Sequence, residues 1–261
     1  MTTLLPDARS DRVDVDGIGF DAVDERQVVS AVLAGLDGGR GGIVLTPNVD
    51  ILRTLRQPDR RDLADSASLV VADGAPIVWA SRLRGHPLPA RVAGSELVHS
   101  LTDAAARHGR SVYLLGGEEG VAARGAEELR RRHPGLRVAG WHCPPHGFER
   151  DADLSQAVLD AVVPTAPDVV LVGLGFPKQD RLAQQLTEHL PETWFLGCGA
   201  GLSFLAGEVS RAPRWMQRSG LEWVYRLLQE PRRLGRRYLL EDIPYAAVLL
   251  GRAYGHRLRR R

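Results

Sequence analysis

Short apolar runs rich in valine, isoleucine and leucine recur between residues 43 and 197, and each main run ends in a turn signal. The run over 43–46 closes in Thr46-Pro47-Asn48, that over 69–72 in Asp73-Gly74, and that over 111–115 in Gly116-Gly117. The runs over 168–172 and 193–196 close in Gly173-Leu174-Gly175 and Gly197-Cys198-Gly199, and a weaker run lies at 136–140. Runs this short and continuously apolar are predicted to be buried parallel strands. Helical stretches over 118–132, 152–163 and 178–189 separate them. Such alternation builds βαβ units, so the predicted fold class is α/β, a Rossmann-like, doubly wound and mainly parallel sheet. Right-handed crossovers bring the strand ends to one edge, and open α/β sheets bind ligands beyond that edge.

After Gly199 the strand pattern stops. Residues 219–230 read as an amphipathic helix with Leu221, Val224, Leu227 and Leu228 at helical spacing. Pro231 is expected to end it, and Gly235 to separate it from a further helical stretch over 236–254. The predicted organisation is a Rossmann-like catalytic body over 1–200 and an Arg-rich helical appendage over 201–261. Charge divides at the same place. Residues 211–261 carry thirteen arginines against four acids, a net +9, so the first 210 residues carry −7 of the overall +2. A basic tail on an acidic body points to a polyanionic partner for the tail. Composition is otherwise that of a soluble globular chain, 44% hydrophobic and 25% charged. Two cysteines, no basic-then-apolar leader and no apolar run near the ~20 residues of a bilayer span predict a cytoplasmic protein. It would meet a membrane only peripherally, from the inner face.

Glycine after a strand lets backbone approach a phosphate, and a following helix N-terminus favours the anion. The turns at 116–120, 173–177 and 197–201 each lack a complete G-x-G-x-x-G, and any one alone suits a plain βα connection. Three on one edge favour a nucleotide pocket. Asp73, directly after its strand, could accept a proton from a substrate hydroxyl. Its local sequence, Asp-Gly-x-Pro, equally suits an Asx turn or a cap for a helix starting near Pro76, and by itself favours the cap. Thr46 and Asn48 offer hydrogen bonds to a ligand, or caps for a helix around 51–55. His142, Cys143 and His146 lack metal spacing, and no metal site is expected. No Asp-x-Asp follows a strand, so a bound diphosphate would be met by arginines and backbone N–H groups. Glu222, Arg226 and Glu230, four residues apart, read as mutual salt bridges. Arg232, Arg233, Arg236 and Arg237 lack such compensation and adjoin Tyr238, Leu239 and Leu240. That mixture suits a segment lying on anionic lipid, or a solvated basic surface.

Several blocks in order carry a resemblance: Thr46-Pro-Asn-Val-Asp50, then Ala72-Asp-Gly-Ala-Pro-Ile-Val-Trp79 with Arg91-Val-Ala-Gly-Ser95, then Gly173-Leu-Gly-Phe-Pro-Lys-Gln-Asp180. Arg211-Ala-Pro-Arg-Trp215, Glu222-Trp-Val-Tyr-Arg226 and Glu230-Pro-Arg-Arg233 complete the set. Over about residues 13–238 the chain resembles the WecB/TagA/CpsF glycosyltransferase family. The resemblance implies inverting, metal-independent and cofactor-free transfer of a hexose from a UDP-sugar, usually N-acetylmannosamine or its uronic acid. The implied acceptor is a polyprenyl-diphosphate-linked sugar used in cell-surface polysaccharide synthesis. Residue by residue, the resemblance implies Asp73 as general base, with Thr46 and Asn48 beside it. It implies Arg91 and Gln179 as substrate-binding; the turn glycines Gly116, Gly117, Gly173 and Gly175 are substrate-binding candidates from their place at the strand ends. Arg211, Arg226 and Arg233 of the appendage would close over the diphosphate at the membrane. Asp180 stands where the family usually has Glu, which leaves the role of that position open. Two other classes remain: a nicotinamide-dependent oxidoreductase, which needs an intact dinucleotide fingerprint, and a nucleic-acid-binding module. No recognition motif accompanies the basic tail, so no nucleic-acid partner is expected. The face over 221–228 could pack on the body or on a second copy of the chain.

Overall fold

The computed structural model describes residues 12–213, 215–216 and 222–258. The described chain opens with an antiparallel hairpin, β1 (Arg12–Val15) and β2 (Ile18–Asp21), which the apolar-run pattern did not single out. Its turn is Asp16-Gly17, with φ of 54° and 88°. Positive φ at both positions gives the turn whose twist matches that of paired strands. The Asp21 carboxylate accepts the Val70 N–H at 2.7 Å and pairs with Arg12 at 3.0 Å. The hairpin thereby covers an edge of the main sheet that would otherwise present unpaired backbone.

Helices and parallel strands then alternate: α1 (Glu25–Asp37), β3 (Gly42–Leu45), α2 (Val49–Leu55), α3 (Asp62–Ser66), β4 (Leu69–Val70), α4 (Ala75–Leu83), α5 (Gly94–Arg107), β5 (Ser111–Gly116), α6 (Val121–Arg132), β6 (Arg137–His142), α7 (Ala152–Val162), β7 (Val169–Gly173), α8 (Lys178–His189), β8 (Trp194–Gly197) and α9 (Gly201–Leu205). All six predicted runs are strands, in the order β4-β3-β8-β7-β5-β6, and every pairing in this sheet is parallel. Side chains alternate across it. Val44, Val112, Leu114, Leu171 and Leu196 pack against α1, α5, α6 and α9. Ile43, Tyr113, Leu115, Val170, Val172 and Phe195 pack against α7 and α8. Both faces are covered, which is why these strands read as continuous apolar runs. The sheet is doubly wound, as the alternation predicts.

The C-terminal segment contains α10 (Glu222–Gln229), α11 (Pro231–Arg236), a π-helical stretch (Arg237–Asp242) and α12 (Ile243–Leu258). The predicted helix over 219–230 is seen from Glu222; Leu221 lies outside the described residues. Pro231 opens α11, a position where its missing N–H costs nothing. Gly235 lies inside α11 and separates nothing, because the helix continues through the π stretch into α12. Leu249 and Ala253 of α12 are buried with Val15, Ile18, Leu52, Leu55 and Val78, so the last helix shares a core with the hairpin, α2 and α4. The Tyr245 hydroxyl also donates to Asp16 at 2.6 Å. Among the described residues, no helix is long and apolar enough to cross a membrane.

Candidate active site

The carboxyl edge of the sheet opens into a cleft of about 800 Å³. Its walls are the turns after β3, β4, β5, β7 and β8, and the C-terminal helices lie on the far side. Asp73, Thr46, Asn48, Arg91 and Gln179 all reach this wall, as do Gly117, Gly173, Gly175 and Arg226. Gly116 and Arg211 do not line it.

Asp73 does not cap α4, whose N-cap is Gly74 without a side-chain hydrogen bond. The local sequence favours a cap for that helix, but the carboxylate instead turns to the neighbouring one. Its Oδ2 accepts from the Gly94 N–H at the start of α5, at 3.4 Å. Its Oδ1 lies 3.6 Å from Arg91 Nη1. Burial raises the Asp73 pKa to about 7; Arg91 opposes the rise, and Glu222 and Glu96 add to it. A carboxylate with proton affinity near neutrality suits general-base work at physiological pH.

Thr46 and Asn48 serve the scaffold as well as the wall. The Thr46 hydroxyl donates to the Gly197 carbonyl at 3.1 Å, tying the β3 turn to the β8 turn. Asn48 Oδ1 accepts from the Ile51 N–H at 3.0 Å and caps α2. Glycine is required at 116 and 117, where φ is 113° and 80°. A Cβ on Gly116 would lie 2.7 Å from the Gly173 carbonyl, and one on Gly117 would lie 2.6 Å from Val121. Gly116 is buried in this junction, and Gly117 is the member that faces the cleft.

Gln179 Oε1 accepts from the Gly199 N–H at 3.2 Å, bracing the β8 turn. Next to it, Asp180 is 2% exposed, and among the described residues no cation pairs with its carboxylate. Burial raises its pKa from 3.8 to about 7. The unfolded chain therefore releases this proton near pH 4 while the folded chain keeps it to about 7. Asp180 costs stability progressively as pH rises through that window, and the full cost applies above it. Asp180→Asn is expected to raise Tm relative to the parent at about pH 8 and much less at about pH 4.5. Thermal unfolding at the two pH values checks this, and an equal shift at both would contradict it.

On the C-terminal side, two guanidiniums lie over the ring of Phe204 in α9, Arg211 at 5.8 Å and Arg226 at 5.7 Å. Such stacking fixes arginines in place without neutralising them. Arg211 reaches Ser95 Oγ at 3.4 Å and Glu96 at 3.6 Å, and so fastens the segment to α5. Glu222 does not wait for Arg226 one turn on; it meets Arg91 across the cleft at 3.4 Å. Arg237 is compensated as well, by Asp50 of α2 and by Asp242 five residues on in the same π-helical stretch, each at 3.5 Å. The Arg233 side chain lies outside the described residues. Glu222, Phe204 and Trp223 are cleft residues that local sequence did not mark as such, because their partners lie far away in the chain. Among the described residues, no three His, Cys, Asp or Glu side chains gather as a metal-holding set.

The model of the Glycosyl transferase WecG/TagA/CpsF family matches residues 13–259. The chain is 33% identical over 202 residues to a protein of Bacillus spizizenii, covering 77% of this chain and 76% of that one. It is 29% identical over 216 residues to a protein of Bacillus subtilis strain 168, covering 82% and 81%. To a Staphylococcus aureus MW2 protein it is 29% identical over 246 residues, 93% of each chain. All three relatives bear the name N-acetylglucosaminyldiphosphoundecaprenol N-acetyl-beta-D-mannosaminyltransferase.

Proposed function

Because the chain belongs to the WecG/TagA/CpsF family of glycosyltransferases, we propose that it moves N-acetylmannosamine from a UDP-sugar onto a lipid-diphosphate-linked N-acetylglucosamine, with Asp73 as general base. The observation that carries the reading is the position of Asp73. It stands at the ligand edge of a doubly wound sheet, on the wall of a cleft large enough for a nucleotide sugar, with a pKa of about 7. The relatives' names support the sugar and the acceptor.

The reaction is a single displacement. The acceptor hydroxyl gives its proton to Asp73 as its oxygen attacks the anomeric carbon. The bond from that carbon to the diphosphate breaks, and its electron pair leaves on the UDP. Attack opposite the leaving group inverts the anomeric carbon, as in single-displacement glycoside chemistry. Arg226, held over Phe204 on the cleft wall, supplies positive charge to the leaving diphosphate, and the backbone N–H groups of the turns that follow Gly117 and Gly173 supply further donors without a metal.

The C-terminal segment covers the cleft and meets the lipid. Leu228, Leu239 and Leu240 are 75%, 53% and 71% exposed, and Arg232 and Arg236 are exposed in the same stretch. Apolar side chains beside cations suit anionic bilayer surface. Leu239→Asp with Leu240→Asp is expected to reduce co-sedimentation with anionic vesicles several-fold; unchanged binding would remove this part of the reading.

Nucleotide choice separates the proposal from an oxidoreductase on the same fold. UDP at about 100 times its Kd is expected to stabilise the chain by about 2.7 kcal/mol, roughly 5–10 °C in Tm, while NAD gives no shift. Stabilisation by NAD and not by UDP would reverse the assignment.

A further inference from the structure

Arg91 lies between α4 and α5, and three carboxylates converge on its guanidinium. Glu96, in the first turn of α5, takes Nη2 at 3.2 Å. The other two share Nη1: Asp73 at 3.6 Å and Glu222 at 3.4 Å. Asp73 and Glu96 belong to the sheet body. Glu222 is 131 residues further along the chain, at the start of α10, and its side chain is only 15% exposed. Glu96 is also shared with Arg211 at 3.6 Å. The groups facing Asp73 are thus Arg91 from the loop, Glu96 and the Gly94 N–H from α5, and Glu222 from α10.

We propose that Glu222 is a positioning residue that sets the strength of the base, so that Asp73 is a strong proton acceptor only when α10 is seated over the cleft. The physical reason is competition for one nitrogen. With α10 seated, Arg91 Nη1 is divided between two carboxylates, and Asp73 has a like charge no more than about 7 Å away, the sum of the two distances. Both effects hold the Asp73 proton affinity up. With α10 displaced, Nη1 is left to Asp73 alone, its ionised form is stabilised, and it becomes a weaker base. The device would make an open site several-fold poorer at activating water at the donor's anomeric carbon. The inference rests on the reading of Asp73 as the general base and adds to it a coupling between closure and base strength.

The test is Glu222→Gln in the full chain. Gln keeps the size and can accept from Arg91, but carries no charge. The acid limb of the kcat/KM–pH profile, read with UDP-sugar and lipid-diphosphate acceptor, is expected to move about one unit lower. The plateau kcat is expected to fall several-fold, and Glu222→Asp should restore the wild-type limb in part. A carbon NMR titration of labelled aspartate, with the Asp73 signal assigned by its loss in Asp73→Asn, reads the same shift without turnover. An acid limb and an Asp73 titration that stay put in Glu222→Gln overturn the proposal. Those results are distinct from failure of the base reading, which would show as wild-type turnover in Asp73→Asn.

Discussion

Asp73→Asn is expected to lower kcat for sugar transfer by about 10²–10⁴-fold, the range that a positioned general base contributes. The substitution keeps an acceptor for the Gly94 N–H, so the start of α5 and the fold around it should be undisturbed. UDP binding should be nearly unchanged, because the proposed mechanism gives the diphosphate to other groups. Steady-state UDP release and UDP-induced stabilisation, measured on the same preparation, separate the two effects. The acid limb near pH 7 should vanish with the side chain that causes it. Turnover within a few-fold of wild type would remove Asp73 as the base, and loss of UDP binding would mean that it holds the donor instead.

Arg91→Ala is expected to have the second-largest effect, with a pH signature of its own. The guanidinium is the cation that faces Asp73, Glu96 and Glu222 together. An opposite charge at such distances lowers a carboxylate pKa by about 1–3 units; because this guanidinium is divided among three carboxylates the lower part of that range applies, and its removal should carry Asp73 from about 7 to about 8–9. At pH 7 the ionised fraction then falls from about half to about 1–10%, which alone gives a loss of roughly 5–50-fold. Misorientation of Glu222 and Asp73 adds to that loss. Much of the rate should return as the pH is raised past 8, and Arg91→Lys should lie between the two. Arg91→Ala and Glu222→Gln therefore move the same limb in opposite directions, although both remove one member of one ion cluster. A pH-independent loss in Arg91→Ala would show that the arginine binds substrate and does not tune the base.

The body of the fold was legible because each strand of the main sheet except the edge strand β6 is buried on both faces and closes in a turn residue. Continuous runs such as Val169–Gly173 have no other reading once helices of the right length separate them. The hairpin at Arg12–Asp21 was missed although it carries its own signal: Asp16-Gly17 between Val13, Val15 and Ile18, Phe20. Four-residue strands are too short to stand out as runs, and only the turn dipeptide betrays them. In the C-terminal segment the break expected at Pro231 is present, between α10 and α11, whereas the one expected at Gly235 is overridden by tertiary packing. The helix continues because Leu249 and Ala253 of α12 have a core to enter.

The site was legible in its strand-end members and opaque in its pairings. Asp73 could be set on the ligand edge from the run before it. Its role as a cap was the wrong expectation for α4, since the hydrogen bond it accepts comes from α5, 21 residues on. Helical spacing pairs Glu222 with Arg226, yet the two side chains face different partners, Arg91 and Phe204. Arg237 looked uncompensated for the same reason, its counter-charge Asp50 lying on α2. Spacing rules see neighbours along a helix and have no view of what a fold brings opposite.

The most direct test of the account is product analysis. The full chain is incubated with UDP-N-acetylmannosamine and N-acetylglucosamine linked through diphosphate to a polyprenol. The lipid product is read by mass spectrometry, and the new linkage by NMR. The account predicts one added N-acetylhexosamine, an anomeric configuration opposite to the donor's, and at least a hundredfold less product with Asp73→Asn. An unaltered acceptor lipid, a retained configuration, or equal product from Asp73→Asn would contradict it.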